Sequence, residues 1–266
     1  MSTLIVTRRM NEHPTDSHTI DRYIATGGYE QARRAVTTLT RDELVEEVKA
    51  SGLLGRGGAA FSAGLKWSFL APERPAYLVV NGDESEPGTF KDRQLLERDP
   101  HQLVEGIIIA AYANEVHHAF VYIRGEYAKP ARRLQQAVDE AYARGFLGRN
   151  VFGSGYDLEL TVHLGAGAYI CGEETALINS LEGKRGEPRL KPPYFPAAKG
   201  LYMKPTIVNN VETISNIPHI LAMGAPRYAE VSPSPDTGTF LMSLSGHVRK
   251  PGNYEVFHGI TWRELI

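Results

Sequence analysis

Cysteine is nearly absent from this sequence, which contains one such residue, Cys171, among 266. A single cysteine excludes an internal disulfide framework and is typical of a reducing compartment. It also excludes an iron–sulfur cluster held by this sequence alone, because such clusters normally take four protein ligands. For Cys171 itself, a small buried side chain is favoured over a redox role.

Long apolar runs and an excess of basic charge are missing as well. The most apolar run, residues 106–111, is far too short to span a bilayer, and residues 1–16 lack the apolar core of a signal peptide. The formal net charge is -2, so nucleic-acid binding has no electrostatic support. We therefore expect a cytoplasmic protein that neither inserts into a membrane nor binds nucleic acid.

Apolar runs typical of strands alternate with helical patterns along most of the chain. The clearest strands are AYLVVNG at 76–82, HAFVYIRG at 118–125 and DLELTVHLG at 157–165. We predict helices over about 31–50 with Thr40 as a helix cap, over 93–113 and over 128–145. Residues 1–30 are expected to be irregular. Strand–helix alternation predicts an α/β fold with a parallel sheet.

The C-terminal part differs in composition from the rest. Residues 231–238, VSPSPDTG, have the composition of a linker, and residues 239–266 have the pattern strand, turn, strand and start of a helix. These last residues are too few for a free-standing domain without disulfides or a metal. We expect a main domain at 1–230 and the start of a truncated second domain at 239–266. Its open strand edges predict that trimming near Pro233 gives a more soluble protein.

The segment GLLGRGGAAFSAGLKW, residues 52–67, is unusually rich in glycine. Gly55, Gly57 and Ala60 formally match the G-x-G-x-x-G/A dinucleotide pattern, but a helix rather than a strand precedes them. A glycine-rich loop that opens a helix still exposes backbone N–H groups that suit an anion, and Lys66 could add charge. A helix–helix turn, packed closely through its glycines, explains the loop about equally well.

Two further loops combine glycine with carboxylates. NGDESEPGTFKDR, residues 81–93, follows a strand directly, where open α/β sheets bind ligands. Its carboxylates could be solvated, hold a hard cation or accept hydrogen bonds from ribose hydroxyls. GAGAYICGEETALINSLEG, residues 165–183, places Glu173 and Glu174 where a helix begins, and there they could simply complement the helix dipole.

These stretches and KPTIVNNVETISN, residues 204–216, occur in one order that closely resembles the NADH-oxidising FMN flavoprotein subunit of respiratory complex I. Diaphorase subunits of NAD-linked hydrogenases and formate dehydrogenases contain a similar module. The resemblance covers about residues 28–266. It implies a Rossmann-like parallel α/β flavin domain, followed by the start of a β-grasp (ubiquitin-like) domain.

The resemblance also implies site residues. The positions implied for FMN are Gly55, Arg56, Gly57, Gly58, Lys66, Asn81, Asp83, Glu84, Ser85, Tyr169, Gly172, Glu173, Asn209 and Asn210, the two asparagines lying near its phosphate. The positions implied for NADH are Phe61, Phe69, Glu86, Glu174, Lys191 and Tyr194. No side chain is expected to act as an acid or base, Glu86 is a candidate for positioning, and no metal ligands are expected.

Two positions depart from the family pattern. Ala60 stands where the family usually has glycine, which is a mild change in a tight loop. Tyr194 and Phe195 stand where many members have one aromatic residue, so either ring could stack on adenine.

By resemblance, the protein oxidises NADH by hydride transfer to FMN and feeds iron–sulfur clusters of respiratory complex I, the NADH-quinone oxidoreductase. The alternative is a diaphorase subunit of a hydrogenase or formate dehydrogenase, and a non-catalytic assembly module is disfavoured by the intact loops. The implied partners are NADH, a thioredoxin-like 2Fe–2S subunit and iron–sulfur subunits of the peripheral arm, in a complex peripheral to the inner face of the membrane. A 4Fe–4S cluster is implied only for the full-length subunit.

Overall fold

A parallel four-stranded sheet lies at the centre of the computed structural model, which describes residues 4–266. Its strands are β1 (Ala76–Gly82), β2 (Val116–Ile123), β3 (Glu159–Leu164) and β4 (Thr206–Asn210), in the order β3-β2-β1-β4. All three neighbouring pairs are parallel, which confirms the predicted α/β class. The chain extends the sheet from β1 towards β3 and then returns to add β4 on the other side of β1. Open α/β sheets bind ligands at such a reversal, outside the carboxyl ends of the strands.

Helices connect and cover these strands. Before β1 lie α1 (Arg8–Glu12), α2 (Ile20–Ala25), α3 (Glu30–Thr38), α4 (Arg41–Ala50) and α5 (Ala63–Ser68). The connections between strands contain α6 (Lys91–Arg98), α7 (Pro100–Ala113), α8 (Ala128–Ala143), α9 (Glu174–Leu181) and α10 (Pro196–Lys199). After β4 come α11 (Val211–Met223), α12 (Ala225–Ala229), the strands β5 (Thr239–Leu244) and β6 (Gly252–Phe257), and α13 (Trp262–Leu265). Within residues 4–266, none of these helices combines the length and the apolar character needed to cross a bilayer.

The two faces of the sheet carry separate hydrophobic cores. Leu78 and Val80 belong to the larger core, whereas Val79 between them packs with Leu177 and Ile178 of α9 on the opposite face. Successive side chains of a strand point to opposite faces, so a sheet covered on both sides requires a continuous apolar run. The run in AYLVVNG therefore reflects two covered faces.

In the larger core, α7 packs closely on α11. A Cβ atom built on Gly106 of α7 would lie 2.2 Å from the carbonyl oxygen of Ile214 in α11. Only glycine permits this approach, because a side chain would overlap with backbone. The close contact holds α11 against the sheet and so positions its first turn at the end of β4.

Three predictions from the sequence need correction in the structure. The helix expected over 93–113 is two helices, because Pro100 begins α7 and disfavours helical backbone at Asp99. The helix expected over 31–50 is also two helices, although the Thr40 cap is confirmed by a capping box with Glu43. Residues 4–30 are not irregular, since they contain α1 and α2. The prediction for residues 1–3 lies outside the described residues.

The hairpin of β5 and β6 forms its own two-stranded antiparallel sheet, which confirms the predicted strand–turn–strand pattern. Its Glu255 carboxylate accepts hydrogen bonds from the backbone N–H groups of Ile5, Val6 and Thr7 at 2.8 to 3.0 Å. It also accepts one from the Thr239 hydroxyl at 2.5 Å. The hairpin is thereby tied to the first described residues of the chain. The division into domains at residues 230 and 238 stays a prediction.

Candidate functional site

Amide side chains lie at the carboxyl ends of the two strands that flank the reversal in strand order. Asn81 of β1 is paired in register with Asn210 of β4. The Asn81 side chain donates to the carbonyl oxygen of Gly172 at 2.9 Å and accepts from the N–H of Asp83 at 3.0 Å. Asn210 caps α11 by accepting from the N–H of Glu212 at 2.9 Å. These contacts bring together the acidic loop (residues 81–93), the second glycine loop (residues 165–183) and the start of α11.

Asp83 and Glu86 belong to the acidic loop, which follows β1 into the open region beyond the carboxyl ends of β1 and β4. Burial raises the pKa of Asp83 above its ordinary value, although the Ser85 hydroxyl donates to its carboxylate. Glu86 is exposed, and its carboxylate accepts a hydrogen bond from the Tyr169 hydroxyl at 2.6 Å. The contact joins the acidic loop to the second glycine loop at the surface.

Glu84 points in another direction. Its carboxylate accepts hydrogen bonds from the N–H groups of Asp92 and Arg93 at 2.8 and 3.0 Å, and from the Tyr127 hydroxyl at 3.1 Å. Burial, together with the nearby Asp92 carboxylate, raises the pKa of Glu84 to about 7. The side chain therefore satisfies the start of α6 and faces away from the open region.

Glu173 and Glu174 share one lysine partner. The Lys191 ammonium lies 2.9 Å from the Glu173 carboxylate and 2.8 Å from that of Glu174. Lys66 lies 3.2 Å from the other oxygen of Glu174 and donates to the Val208 carbonyl at 3.0 Å. Burial opposes ionisation of Glu174, yet these two ammonium groups keep its pKa below the ordinary value.

Glu173 also acts as the cap of α9. Its carboxylate accepts from the N–H groups of Thr175 and Ala176 at 2.8 and 2.9 Å. The interpretation of these glutamates as helix-end residues is thus correct for Glu173. Glu174, the first residue of α9, is instead bound by lysines from two other segments.

The glycine loop presents backbone to the same region. Gly57 and Gly58 are exposed, and a Cβ built on Gly57 would lie 3.3 Å from the Cβ of Asn210. Gly58 has φ +108°, and a Cβ there would meet no atom within 4 Å. Ala60 has φ +52°, in the region that favours glycine, so the departure from the family pattern lies at a strained position. The Arg56 side chain, by contrast, is buried against β5 and is not directed into the open region.

Exposed aromatic rings border the glycine loop. Phe61 and Phe69 are 45% and 58% exposed, with ring centroids 6.2 Å apart. Among the other aromatic residues implied for ligand contact, Tyr194 is half-buried and Phe195 is 53% exposed. The Phe61 and Phe69 rings provide apolar faces that are accessible to a planar group.

Buried partners of the strand-end amides were missed by sequence reasoning. The Lys91 ammonium lies 2.8 Å from both the Asp92 and Glu212 carboxylates and 3.4 Å from the Asn210 side-chain oxygen. Asn210 in turn donates to Asp92 at 2.6 Å. This cluster, which joins the starts of α6 and α11, fixes Asn210 from two sides.

Asn209, the other asparagine at the end of β4, is fixed by a tryptophan. Its side-chain oxygen accepts from the Trp67 indole N–H at 3.0 Å. Trp67 lies in the glycine-rich segment, but no sequence pattern pairs it with a residue so distant in the chain.

The arrangement fits a phosphorylated flavin in the chemistry of its donors. The exposed glycine backbone leaves open space at Gly58, and the Lys66 ammonium lies in the helix that follows the loop. At the strand ends, amide groups can donate to or accept from a polar ring edge, and carboxylates can accept from hydroxyl groups. The accessible Phe61 and Phe69 rings border the glycine loop. An anion, a ring and a polyol chain therefore each have suitable groups in one region.

Comparison with known families gives one assignment for this region. The Nuo51 FMN-binding domain profile matches residues 48–219, which include the first glycine loop, the acidic loop and the strand-end asparagines. Among curated proteins, the second F-type subunit of NADH-quinone oxidoreductase from Rhizobium meliloti is 54% identical over 253 residues, covering 94% of this chain and 60% of the relative. The F-type subunit of Mycobacterium bovis is 57% identical over 252 residues, covering 92% and 56%, respectively. That of Escherichia coli is 53% identical over 250 residues, covering 93% and 56%.

Solved structures show the same similarity. An NAD+-reducing [NiFe]-hydrogenase in the air-oxidized state matches with a TM-score of 0.79 and 36% identity, covering 97% of this chain and 41% of that one. The same type of hydrogenase in the H2-reduced state matches with a TM-score of 0.76 and 41% identity, covering 83% and 37%. The chain thus spans between 56% and 60% of the length of the curated relatives described above.

Proposed function

The chain belongs to the Nuo51 FMN-binding domain family, and on that premise we propose that it binds FMN at the carboxyl ends of β1 and β4 and supports the oxidation of NADH. The observation that carries this proposal is the convergence of three loops at the reversal in strand order. Asn81 binds the second glycine loop, and Gly57 of the first lies against Asn210. This is the position at which α/β sheets of this kind take their ligands.

We assign the two ends of FMN to different groups. The phosphate is assigned to the backbone of Gly57 and Gly58 and to the region of Asn209 and Asn210. Exposed N–H groups near a lysine suit an anion. The flavin ring and its polyol chain are assigned to the polar groups of Asn81, Asp83 and Ser85 and of residues 169–173.

We assign NADH to the exposed face beside the glycine loop. Phe61 and Phe69 offer ring faces for adenine, and such stacked pairs are worth about 0.5–1.5 kcal/mol. Glu86, Glu174 and Lys191 are assigned to the hydroxyl and amide groups of the nucleotide. Support comes from the exposure of the two rings and from the hydrogen bond that holds Glu86 beside Tyr169.

When bound, FMN supplies the hydride acceptor, so the chemistry needs no acid or base from the protein. The chain's residues bind and orient the two ligands. The Trp67 and Lys91 contacts keep Asn209 and Asn210 in place before any ligand arrives. Groups held in this way lower the entropic cost of bringing two reactants together.

We propose that the protein acts within a complex with other subunits, because its curated relatives are subunits of NADH-quinone oxidoreductase. In that setting it would feed electrons to iron–sulfur clusters of the thioredoxin-like subunit and the peripheral arm. The complex would lie at the inner face of the membrane, and a 4Fe–4S cluster would belong to the full-length subunit.

The second candidate is a diaphorase subunit of an NAD-linked hydrogenase or formate dehydrogenase. It is favoured by the similarity to an NAD+-reducing [NiFe]-hydrogenase, with TM-scores of 0.76 and 0.79. Purification of the native complex distinguishes the two candidates. The first would copurify with quinone-reductase subunits, and the second with a hydrogenase or formate dehydrogenase subunit.

Two matched glycine variants test the proposed FMN site. Gly58 and Gly155 both have positive φ, +108° and +81°, and a Cβ at either meets no atom within 4 Å. Gly58→Ala and Gly155→Ala should therefore incur comparable backbone strain, but only Gly58 lies in the proposed site. We expect the protein to release FMN rather than FAD on denaturation, identified by mass. We also expect Gly58→Ala to bind FMN at least about tenfold more weakly, while Gly155→Ala binds it normally. Release of FAD, or equal effects of the two variants, would contradict the assignment.

A further inference from the structure

Arg56 lies within the glycine loop, but its side chain contacts β5. Its Nε and Nη2 atoms donate to the Thr239 carbonyl at 3.2 and 2.9 Å, and Nη2 donates also to the Thr237 carbonyl at 3.0 Å. Nη1 donates to the Leu54 carbonyl of its own loop at 3.0 Å. Because a guanidinium holds its donors in a rigid fork, these bonds fix an orientation as well as a distance.

The backbone of Arg56 is fixed to a second element. Its N–H donates to the Thr213 hydroxyl, in the first turn of α11, at 2.9 Å. The next residue, Gly57, lies against Asn210, which caps the same helix. Arg56 therefore determines how the exposed glycines lie relative to the end of β4.

Strand β5 contacts the other segments that surround the site. The N–H of Leu241 donates to the Glu212 carboxylate of α11 at 2.8 Å. The Ser243 hydroxyl accepts from the N–H of Phe90, the residue before α6, at 3.1 Å. Thr239 and Leu241 make these contacts through backbone groups, and Ser243 makes its contact through its side chain. Strand β5 thus holds the glycine loop, the start of α11 and the start of α6.

We infer that the β5–β6 hairpin supports the cofactor site and that Arg56 is the positioning residue through which it holds the glycine loop. The inference rests on the proposed function, because FMN is the ligand whose affinity the hairpin would set. Arg56 itself touches no ligand. Loss of its side chain releases the loop from β5, and the loop is then held by the Arg56 N–H bond to the Thr213 hydroxyl at 2.9 Å and the Gly55 N–H bond to the Phe61 carbonyl at 2.8 Å.

The test uses the full chain with Arg56→Gln, Arg56→Lys and, as a control, Arg144→Gln at an exposed arginine paired with Asp21. Amide hydrogen exchange of residues 55–61 and 239–244 is measured without FMN, and the Kd for FMN is measured by quenching of flavin fluorescence. We expect Arg56→Gln to speed exchange in both segments and to raise the Kd about tenfold to a hundredfold, the range of charge-assisted hydrogen bonds. Arg56→Lys keeps the charge but loses the fork, so it should show most of the same loss. Arg144→Gln should match the wild type.

Two results would overturn the inference. One is a weaker Kd with unchanged exchange in residues 239–244, which assigns Arg56 to direct ligand contact. The other is a Kd and an exchange rate that both remain within about twofold of the wild-type values. Such a change is smaller than the contribution of one hydrogen bond.

A second pair of variants applies if Arg56→Gln does not fold. Thr213→Val removes the acceptor of the Arg56 N–H, and Thr213→Ser retains it. If Arg56 couples the loop to β5, loosening the loop in Thr213→Val, and not in Thr213→Ser, speeds exchange of residues 239–244 together with residues 55–61, and faster exchange confined to residues 55–61 contradicts the inference. A wild-type protein that binds no FMN would contradict the proposed function, while the exchange measurement still decides whether Arg56 holds the loop.

Discussion

The ammonium nitrogen of Lys191 lies 2.8 Å from Oε1 of Glu174. Lys66 lies 3.2 Å from the other carboxylate oxygen, so two cations border this one anion. Lys191 also pairs with Glu173 at 2.9 Å. The four side chains together are close to neutral. A phosphate placed beside them would therefore meet a balanced cluster rather than an isolated negative charge.

Glu174→Gln should increase the use of NADPH relative to NADH. The substitution leaves two lysines with one glutamate, so the cluster gains a positive charge that favours a 2′-phosphate. Charges about 4 Å apart interact by about 4 kcal/mol at an effective dielectric of 20, and solvent reduces this. We expect a shift of about 1–2 kcal/mol, or roughly tenfold, in the ratio of kcat/KM values. The ratio is measured by reduction of an artificial acceptor with each nucleotide at equal FMN content.

The control for this prediction is Glu230→Gln, which removes a carboxylate from the segment after α12. It should leave the nucleotide ratio unchanged. If Glu174→Gln also leaves the ratio unchanged and lowers only the melting temperature, Glu174 is a helix-end residue with no part in nucleotide choice.

Ala60→Gly should stabilise the glycine loop. Ala60 has φ +52°, where a side chain is strained and glycine is not. Relief of the strain exceeds the extra entropy of glycine in the unfolded chain, so we expect a gain of about 0.5–1 kcal/mol in the free energy of unfolding. Ala59→Gly is the matched control, because Ala59 is not among the residues with positive φ. It should lose about 0.5–1 kcal/mol. Denaturant titration measures both, and a loss at both positions would contradict the prediction.

Trimming the chain before the hairpin should destabilise it, contrary to the expectation from the sequence. A chain that ends at residue 232 lacks the Thr239 carbonyl that binds Arg56, and it lacks the Leu241 N–H that binds Glu212. Hydrogen bonds to charged groups are worth about 1.5–3 kcal/mol each, and the trimmed chain loses those that the hairpin makes with Arg56 and Glu212. A chain ending at residue 260 is the control, since α13 has no buried residues. Melting temperature and aggregation are compared, and a more stable, more soluble short chain would favour the expectation from the sequence instead.

Acid should weaken the fold through His101. The ring is buried, and its nitrogens bond with the Tyr29 hydroxyl at 2.8 Å and the Glu140 carboxylate at 3.1 Å. Burial lowers the pKa of His101 to about 4, below its unfolded value of 6.5. Between these values the unfolded chain binds the extra proton, so stability falls as pH falls from about 6.5 to about 4.

The measurement for His101 is urea unfolding across that pH range. The wild type should lose up to about 1.4 kcal/mol per pH unit relative to His101→Asn. His247→Asn, at an exposed position, should follow the wild type. Parallel curves for the wild type and His101→Asn would contradict the assignment of the buried ring.

The fold class and the loops of the site could be predicted from the sequence because they depend on local patterns. The apolar run of β1 and the glycines at 55, 57 and 58 are visible within a short stretch of sequence. The break before Pro100 was also visible and was missed, because the apolar periodicity continues through it. The partners of Arg56, Glu212 and Lys91 could not be predicted, since each contact joins segments far apart in the chain. The direction of the Glu84 side chain depends on the start of α6 and is likewise absent from local sequence.

The most direct test of the central claim is an anaerobic titration of the FMN-loaded chain with NADH, followed by the visible absorption of the flavin. In the proposed function, the protein supplies binding and orientation at the reversal between β1 and β4, and the bound cofactor would accept the hydride. We predict that one NADH per FMN removes the flavin absorption, and that Gly58→Ala loaded to equal FMN content reacts more slowly. If FMN bound to the wild-type chain stays oxidised in excess NADH, or reacts no faster than free FMN, the proposed function is contradicted.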